Sequence, residues 1–192
     1  MMNLNGVTAL VTGAGSGMGA ATAKALAKRG ARVAVVDLNL EGAQQTADSI
    51  NGLALGADVS SGESVEAALQ QVVDELGAPR VVVSCAGIAA ASRIVGREGP
   101  HELDLYQQVI NVNLVGTFNV LRLTAERMST LDPVSDSGAR GVIVNTASVA
   151  AYDGQIGQAA YSSSKGGVVA LTLPAARELA RFGIRVMTVA PG

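Results

Sequence analysis

The chain has 192 residues, 48% of them hydrophobic, which suits a single domain spanning 1–192 with a sizeable core. Fourteen basic residues stand against 16 acidic ones, for a net charge of -2, with no lysine or arginine run and only 3% aromatics, so a nucleic-acid partner is not expected. No apolar run approaches the ~20 residues of a membrane helix, and no basic residue precedes the apolar Val7–Val11 as it would in a secretory signal. The expected address is the cytoplasm, away from membranes. A solitary Cys85 excludes an internal disulfide and reads as a small core hydrophobe; the lone His101, in a polar stretch, reads as solvent-facing, and no metal site is expected.

In chain order, the first apolar run, Val7 to Val11, leads into Thr12-Gly13-Ala14-Gly15-Ser16-Gly17-Met18-Gly19 and a helical pattern from Ala20 to Arg29. Glycine here answers geometry. A tight turn demands positive φ, a pyrophosphate must approach the backbone with no Cβ in the way, and the helix must pack close to the strand. Free amides at the helix N-terminus then receive the anion, which makes Gly13, Ser16, Gly17, Met18 and Gly19 candidate cofactor residues.

A second strand, Arg32 to Val36, ends at Asp37, 18 residues after Gly19, where a carboxylate can hydrogen-bond the adenosine ribose hydroxyls. The same carboxylate repels a 2′-phosphate, and Leu38-Asn39-Leu40 offers no cation to receive one, so NAD is expected over NADP. A cap or turn role for Asp37 is the second reading. After a helix over Glu41–Ser49 and a strand over Leu53–Ala57, Asp58 can accept from adenine while Val59 lies against the ring. An N-cap role for Asp58 or Ser60, ahead of the helix Glu63–Leu76, fits equally well.

The remaining elements are a strand over Val81–Ser84, a helix over Glu102–Met128, a strand over Val142–Asn145, a helix over Tyr161–Ala180 and a strand over Ile184–Val189. Alternation of this kind predicts βαβ units, and the unbroken apolarity of Val33–Val36 and Val81–Val83 fits strands covered on both faces. The predicted fold is α/β: a doubly wound parallel sheet with helices on both faces, the Rossmann fold. Two long connections, Ile88–Pro100 and Ser129–Arg140, are expected to be functional or mobile. The chain closes on Ala190-Pro191-Gly192, at a strand end where ligands bind in such sheets, so a C-terminal part of the natural polypeptide is expected to be missing.

Tyr161-Ser162-Ser163-Ser164-Lys165 carries the chemistry. Residues four apart share a helix face, so the ammonium can sit beside the phenol, and a neighbouring cation favours the phenolate form of a group that titrates near ~10 when free. Such a tyrosine can serve as general acid or base. Taken alone, the pair fits an ordinary helix-surface couple at least as well. Ser148, 13 positions earlier, can donate to a substrate oxygen, and Gln155 and Gln158 lie between the two, where they either bind substrate or are simply solvated.

Together these residues resemble the short-chain dehydrogenase/reductase family, through Thr12-Gly13-x-x-x-Gly17-x-Gly19, Ala86-Gly87, Asn113, Ser148, Tyr161-x-x-x-Lys165 and Pro191-Gly192. The resemblance covers the whole chain, with one departure: Cys85 stands where the family often has asparagine. The segments Cys85–Ala89 and Gly141–Lys165, the long loop Ser129–Arg140 and Thr172-Leu173-Pro174 look like the type II 3-hydroxyacyl-CoA dehydrogenase subgroup, also described as type 10 17β-hydroxysteroid dehydrogenases.

The resemblance implies that Tyr161 exchanges a proton with a secondary alcohol or ketone, that Ser148 hydrogen-bonds the same oxygen, and that Lys165 tunes the phenol and holds the nicotinamide ribose. It implies that Asn113 positions a proton-relaying water; read alone, Asn113 is a mildly unfavourable helix residue with Asn111 as the competing register. Cys85-Ala86-Gly87 and Pro191-Gly192 would approach the cofactor. An acyl-CoA substrate, some tolerance for steroid-like alcohols and a homotetramer are implied as well. Competing readings are a 3-oxoacyl-carrier-protein reductase, a polyol or steroid dehydrogenase, and a non-catalytic NAD-binding scaffold or sensor, which would be expected to have lost Tyr161 or Lys165.

Overall fold

The computed structural model describes residues 3–192. Six strands, β1 (Thr8–Thr12), β2 (Arg32–Asp37), β3 (Leu53–Gly56), β4 (Val81–Ser84), β5 (Gly141–Thr146) and β6 (Ile184–Val189), form a parallel sheet in the order β3-β2-β1-β4-β5-β6. Successive strand residues point to opposite faces. Ala9, Val11, Val33 and Val35 pack with Ala23 of α1 (Gly17–Lys28) and with Ala43 and Ala47 of α2 (Leu40–Asp48). Leu10, Val36, Val82 and Ile143 pack on the other face, against Leu69 and Val72 of α3 (Gly62–Leu76), Val120 and Met128 of α5 (Gly116–Ser129) and Ala175 of α6 (Ala159–Leu179). Apolar contact on both faces is why the valine runs show no period of two.

Chain order reverses between β1 and β4, and the crevice beyond the carboxyl ends of these strands is where such sheets bind ligands. Backbone hydrogen bonds close the seam there, Cys85 N donating to the Thr12 carbonyl at 3.2 Å.

Several local expectations shift. Helix α1 begins at Gly17 rather than Ala20, which puts Gly17, Met18 and Gly19 in its first turn. Neither Asp58 nor Ser60 caps α3; Ser61 does, its hydroxyl accepting from Ser64 N at 3.2 Å. The helix expected over Glu102–Met128 is α4 (Leu103–Ile110), a π turn over Asn111–Val115, then α5. His101 is half-buried rather than solvent-facing, its Nδ1 2.8 Å from the Glu102 carbonyl and its ring edge-on to Tyr106.

The long connection Ser129–Arg140 joins the end of α5 to the start of β5, at the amino ends of the strands and so opposite the crevice. Two arginines tie it down through carbonyls. Arg80 donates to Asp132 O and Arg140 O at 2.9 and 3.0 Å, and Arg140 donates to Leu131 O and Phe182 O at 2.6 and 3.0 Å. Among the described residues, no helix is long and apolar enough to cross a membrane.

Candidate active site

A cavity of about 610 Å³ occupies the crevice, lined by Gly13, Ser16, Gly17, Met18, Gly19, Asp37, Asp58, Val59, Cys85, Ala86 and Gly87. Glycine is sterically required at its floor. Gly13 has φ +63°, and a Cβ there would lie 2.6 Å from Ala86 N; a Cβ on Gly19 would overlap the Gly13 carbonyl. Ser16 is the N-cap of α1 but its side chain makes no capping bond, so amides of the first turn keep their capacity for an anion. The cradle fits a dinucleotide pyrophosphate: small residues on the floor and a helix N-terminus aimed into a crevice at the chain-order reversal.

Asp37 closes one end. Its carboxylate accepts from Gly15 N and Asn39 N, both at 2.9 Å, so Asp37 is a turn residue that also lines the cavity. Asp58 holds Ser60 through one oxygen, which accepts from the backbone N at 2.9 Å and from the hydroxyl at 2.7 Å. Cys85 lines the cavity half-buried, and its sulfur accepts from Thr146 Oγ1 at 3.7 Å. Burial pushes its thiol up from the ordinary value, with Thr146, Lys165 and Thr22 pulling weakly the other way.

The second group of residues is joined by side-chain bonds. Lys165 is buried on α6, donates to the Thr146 carbonyl at 2.7 Å, and sits 5.6 Å from the centre of the Tyr161 ring. Burial pulls its ammonium below the usual lysine range, opposed by Cys85. Asn113 is completely buried in the π turn whereas Asn111 is exposed, which decides the register. Its amide accepts from Ile88 N at 2.8 Å and donates to Ile88 O and Ser164 Oγ at 2.9 and 3.0 Å. Both amide hydrogens and one acceptor site go to protein, so Asn113 braces the strand-end loop and α6. A Cβ on Gly87 would lie 3.1 Å from Asn113 Oδ1 and 3.7 Å from Lys165 Nζ, which places the cavity's far wall against this cluster.

Ser148 starts a short 3-10 turn, its hydroxyl accepting from Ala150 N at 3.1 Å. Pro191 and Gly192 pack on the same turn: Val149 N donates to Pro191 O at 2.9 Å, and a Cβ on Gly192 would lie 3.6 Å from Val149 Cγ1. Gln155 and Gln158 line a second cavity of about 540 Å³ with Arg93, Ile94 and Ser162, and Gln155 N donates to Gln158 Oε1 at 2.9 Å. The loop Ile88–Pro100 supplies its other wall through Ser92, Arg93, Ile94 and Val95.

Sequence reasoning left out Ser164, Thr146, Asn119 and Gln108. Ser164 stands three residues from Tyr161 and bonds its carbonyl at 2.7 Å, a signal that the helix spacing contained. Gln108 and Val112 line the first cavity from α4 and the π turn, which no motif announces.

A six-stranded sheet in this order, with a glycine turn at its reversal point, defines a dinucleotide-binding α/β protein. The family model for short chain dehydrogenase matches residues 7–192. The chain is 50% identical over 194 aligned residues to the 3-hydroxyacyl-CoA dehydrogenase type-2 of Bos taurus, covering 99% of this chain and 74% of the bovine one. It is 49% identical to the protein of that name in Drosophila melanogaster, over 98% of this chain and 75% of the fly one. A crystal structure of 3-hydroxyacyl-CoA dehydrogenase type-2 from Mycobacterium avium superposes with a TM-score of 0.93 at 39% identity, covering 100% of this chain and 77% of that one. This chain belongs to the short chain dehydrogenase family, whose members are oxidoreductases that generally use a nicotinamide cofactor.

Proposed function

We propose that the protein is an NAD-dependent dehydrogenase that interconverts a 3-hydroxyacyl-CoA and the 3-oxoacyl-CoA. The observation that carries this reading is the buried Lys165 beside Tyr161, held at the wall of a dinucleotide-shaped crevice, in a chain half identical to dehydrogenases of that name. Bound in the crevice, a nicotinamide ring would accept hydride from the carbinol carbon in oxidation and return it in reduction.

In this reading Tyr161 takes the proton from the substrate hydroxyl, or gives it back to the ketone oxygen. Ser148 donates a hydrogen bond to the same oxygen, stabilising charge from a fixed turn. Lys165 spends one donor on the Thr146 carbonyl and keeps the others for the phenol side and the cofactor ribose. Asn113 fixes α6 and Ile88 around them, so little reorganisation accompanies reaction. Gln155 and Gln158, at the second cavity, are the substrate-facing residues.

Preference for NAD rests on Asp37: an anchored carboxylate at the cavity wall, with no lysine or arginine among Leu38, Asn39 and Leu40 to receive a 2′-phosphate. Exposed Val115, Phe118 and Leu173 support the homotetramer, and the cytoplasmic address belongs to the same reading. The deciding experiment is oxidation of NADH against acetoacetyl-CoA, run beside NADPH, a carrier-protein thioester and a polyol panel, on the wild type and on Asp37→Asn. The wild type should turn over acetoacetyl-CoA with NADH fastest, and the variant, which keeps an acceptor for the turn but loses the charge, should gain about tenfold in relative NADPH use. A carrier-protein or polyol preference would replace the substrate assignment, and an unchanged cofactor ratio would remove Asp37 as its cause.

A further inference from the structure

The loop between β3 and α3 presents Ala57, Asp58 and Val59 to the first cavity, and what holds it there lies outside the cavity. The carbonyls of Val59 and Ser61 accept from Asn119 Nδ2 at 2.9 and 3.1 Å. Asn119 is a residue of α5, 60 positions from Val59 in sequence and only 5% exposed. Its other atom is committed too: Oδ1 accepts from Arg122 Nε at 3.1 Å and from an Arg122 terminal nitrogen at 2.8 Å. With the oxygen held by a guanidinium, the amine is turned toward the loop, and both of its hydrogens are used. One helical turn earlier, Gly116 touches the same loop so closely that a Cβ there would come within 2.7 Å of Val59 Cγ2. Helix α5 therefore presses on the Val59 side chain and hooks the two carbonyls that flank Ser60.

We propose that Asn119, oriented by Arg122, is a positioning residue for the adenosine end of the cofactor. It rests on the reading that the first cavity takes a nicotinamide dinucleotide with Asp58 and Val59 at the adenine. Ala57 N donates to the Asp37 carbonyl at 3.0 Å, which ties the loop's start to β2, and its remaining bonds are local: Asp58 N to Ser64 Oγ at 3.0 Å, and Ser60 to the Asp58 carboxylate. These shape the turn but do not attach it to the opposite layer of the crevice wall. Asn119 does, and it anchors the loop to the same continuous helical stretch that carries Asn113 in its π turn and Gln108 and Val112 in the cavity lining. Without that tie the loop must be ordered by the cofactor, which costs affinity. The hydride-transferring end has its own bracing and is untouched. The effect therefore falls on binding of the adenosine part and spares the chemical step.

The test uses the full chain, with Asn119→Ala and Arg122→Ala beside the wild type. Affinities for NAD and for 5′-AMP are read by calorimetry, and kcat is read with acetoacetyl-CoA at saturating NADH. Asn119→Ala should weaken both NAD and 5′-AMP about tenfold with kcat within about twofold, and Arg122→Ala should move the same way by about threefold. Arg122 is exposed, so its variant keeps the test alive should the loss of Asn119 impair folding. Unchanged 5′-AMP affinity in the variants, or a fall in kcat with NAD affinity intact, overturns the assignment. A wild type that binds neither NAD nor 5′-AMP overturns the underlying reading of the cavity instead.

Discussion

Around the glycine turn the site is shaped by backbone, and around Tyr161 it is shaped by side chains. Gly13 and Gly19 stand where a Cβ would run into Ala86 and into the Gly13 carbonyl, so this half of the site is shaped by atoms the residues lack. Lys165, Asn113 and Ser164 are all buried, and the bonds that join them to other elements span 19 to 51 positions of sequence, so the other half exists only once β5, the π turn and α6 have docked. The first kind of wall follows from residue type at each position. The second depends on a network in which every polar group must find its partner.

That contrast can be broken most directly at Tyr161. Tyr161→Phe keeps the ring and removes the proton, so kcat should fall about 10²- to 10⁴-fold while NAD affinity and melting temperature hold. Retained turnover would mean that the side-chain half is not the reacting half. At the backbone half, Gly13→Val forces a branched side chain onto a φ of +63° and against Ala86, which should cost about 2–4 kcal/mol of stability and abolish NAD binding together. Thermal melts and calorimetry read both losses; a stable variant that still binds NAD would show that the turn is not sterically specified.

The smallest effect concerns the seam between the halves, at Cys85. Burial raises its thiol, so the folded chain holds that proton more tightly than the unfolded chain does. Its contribution is fully present below the unfolded thiol's value of ~8.5 and is lost as pH rises through the higher folded value. Cys85→Ala lacks that loss, and Lys165 is common to both proteins. The stability gap between wild type and variant, read as urea midpoints, should therefore narrow or reverse between about pH 7 and pH 10. A gap that widens with alkali would contradict burial as the dominant influence on Cys85.

Much of the nucleotide half was legible in the chain. A glycine turn after an apolar run and an acid at the next strand end are local facts, and the structure lines one cavity with Gly13, Ser16 through Gly19, Asp37, Asp58, Val59 and Cys85 through Gly87. Legibility failed where two neighbours of similar chemistry competed. Asp58 and Ser60 were the two candidate caps of α3, yet Ser61 has the extended φ/ψ and the reach to Ser64 N. Nor did the length of Ser129–Arg140 announce how it is held, by Arg80 and Arg140 donating to its carbonyls. Asn119 was invisible for a different reason, since its partners Val59 and Ser61 lie about 60 positions away and no spacing rule connects them.

The amino-acid sequence by itself determined the parallel sheet, the glycine turn and the facing of Tyr161 and Lys165. These follow from periodicity, from the absence of a Cβ and from helical spacing, all of which act over a few residues. Tertiary structure alone decided that Asn113 rather than Asn111 is buried, that Lys165 reaches the Thr146 carbonyl, and that Asn119 ties the loop at Val59. Burial and long-range hydrogen bonding arise only when separate elements exclude water between them, and a polar group's partner is then whichever group the packed fold brings within reach.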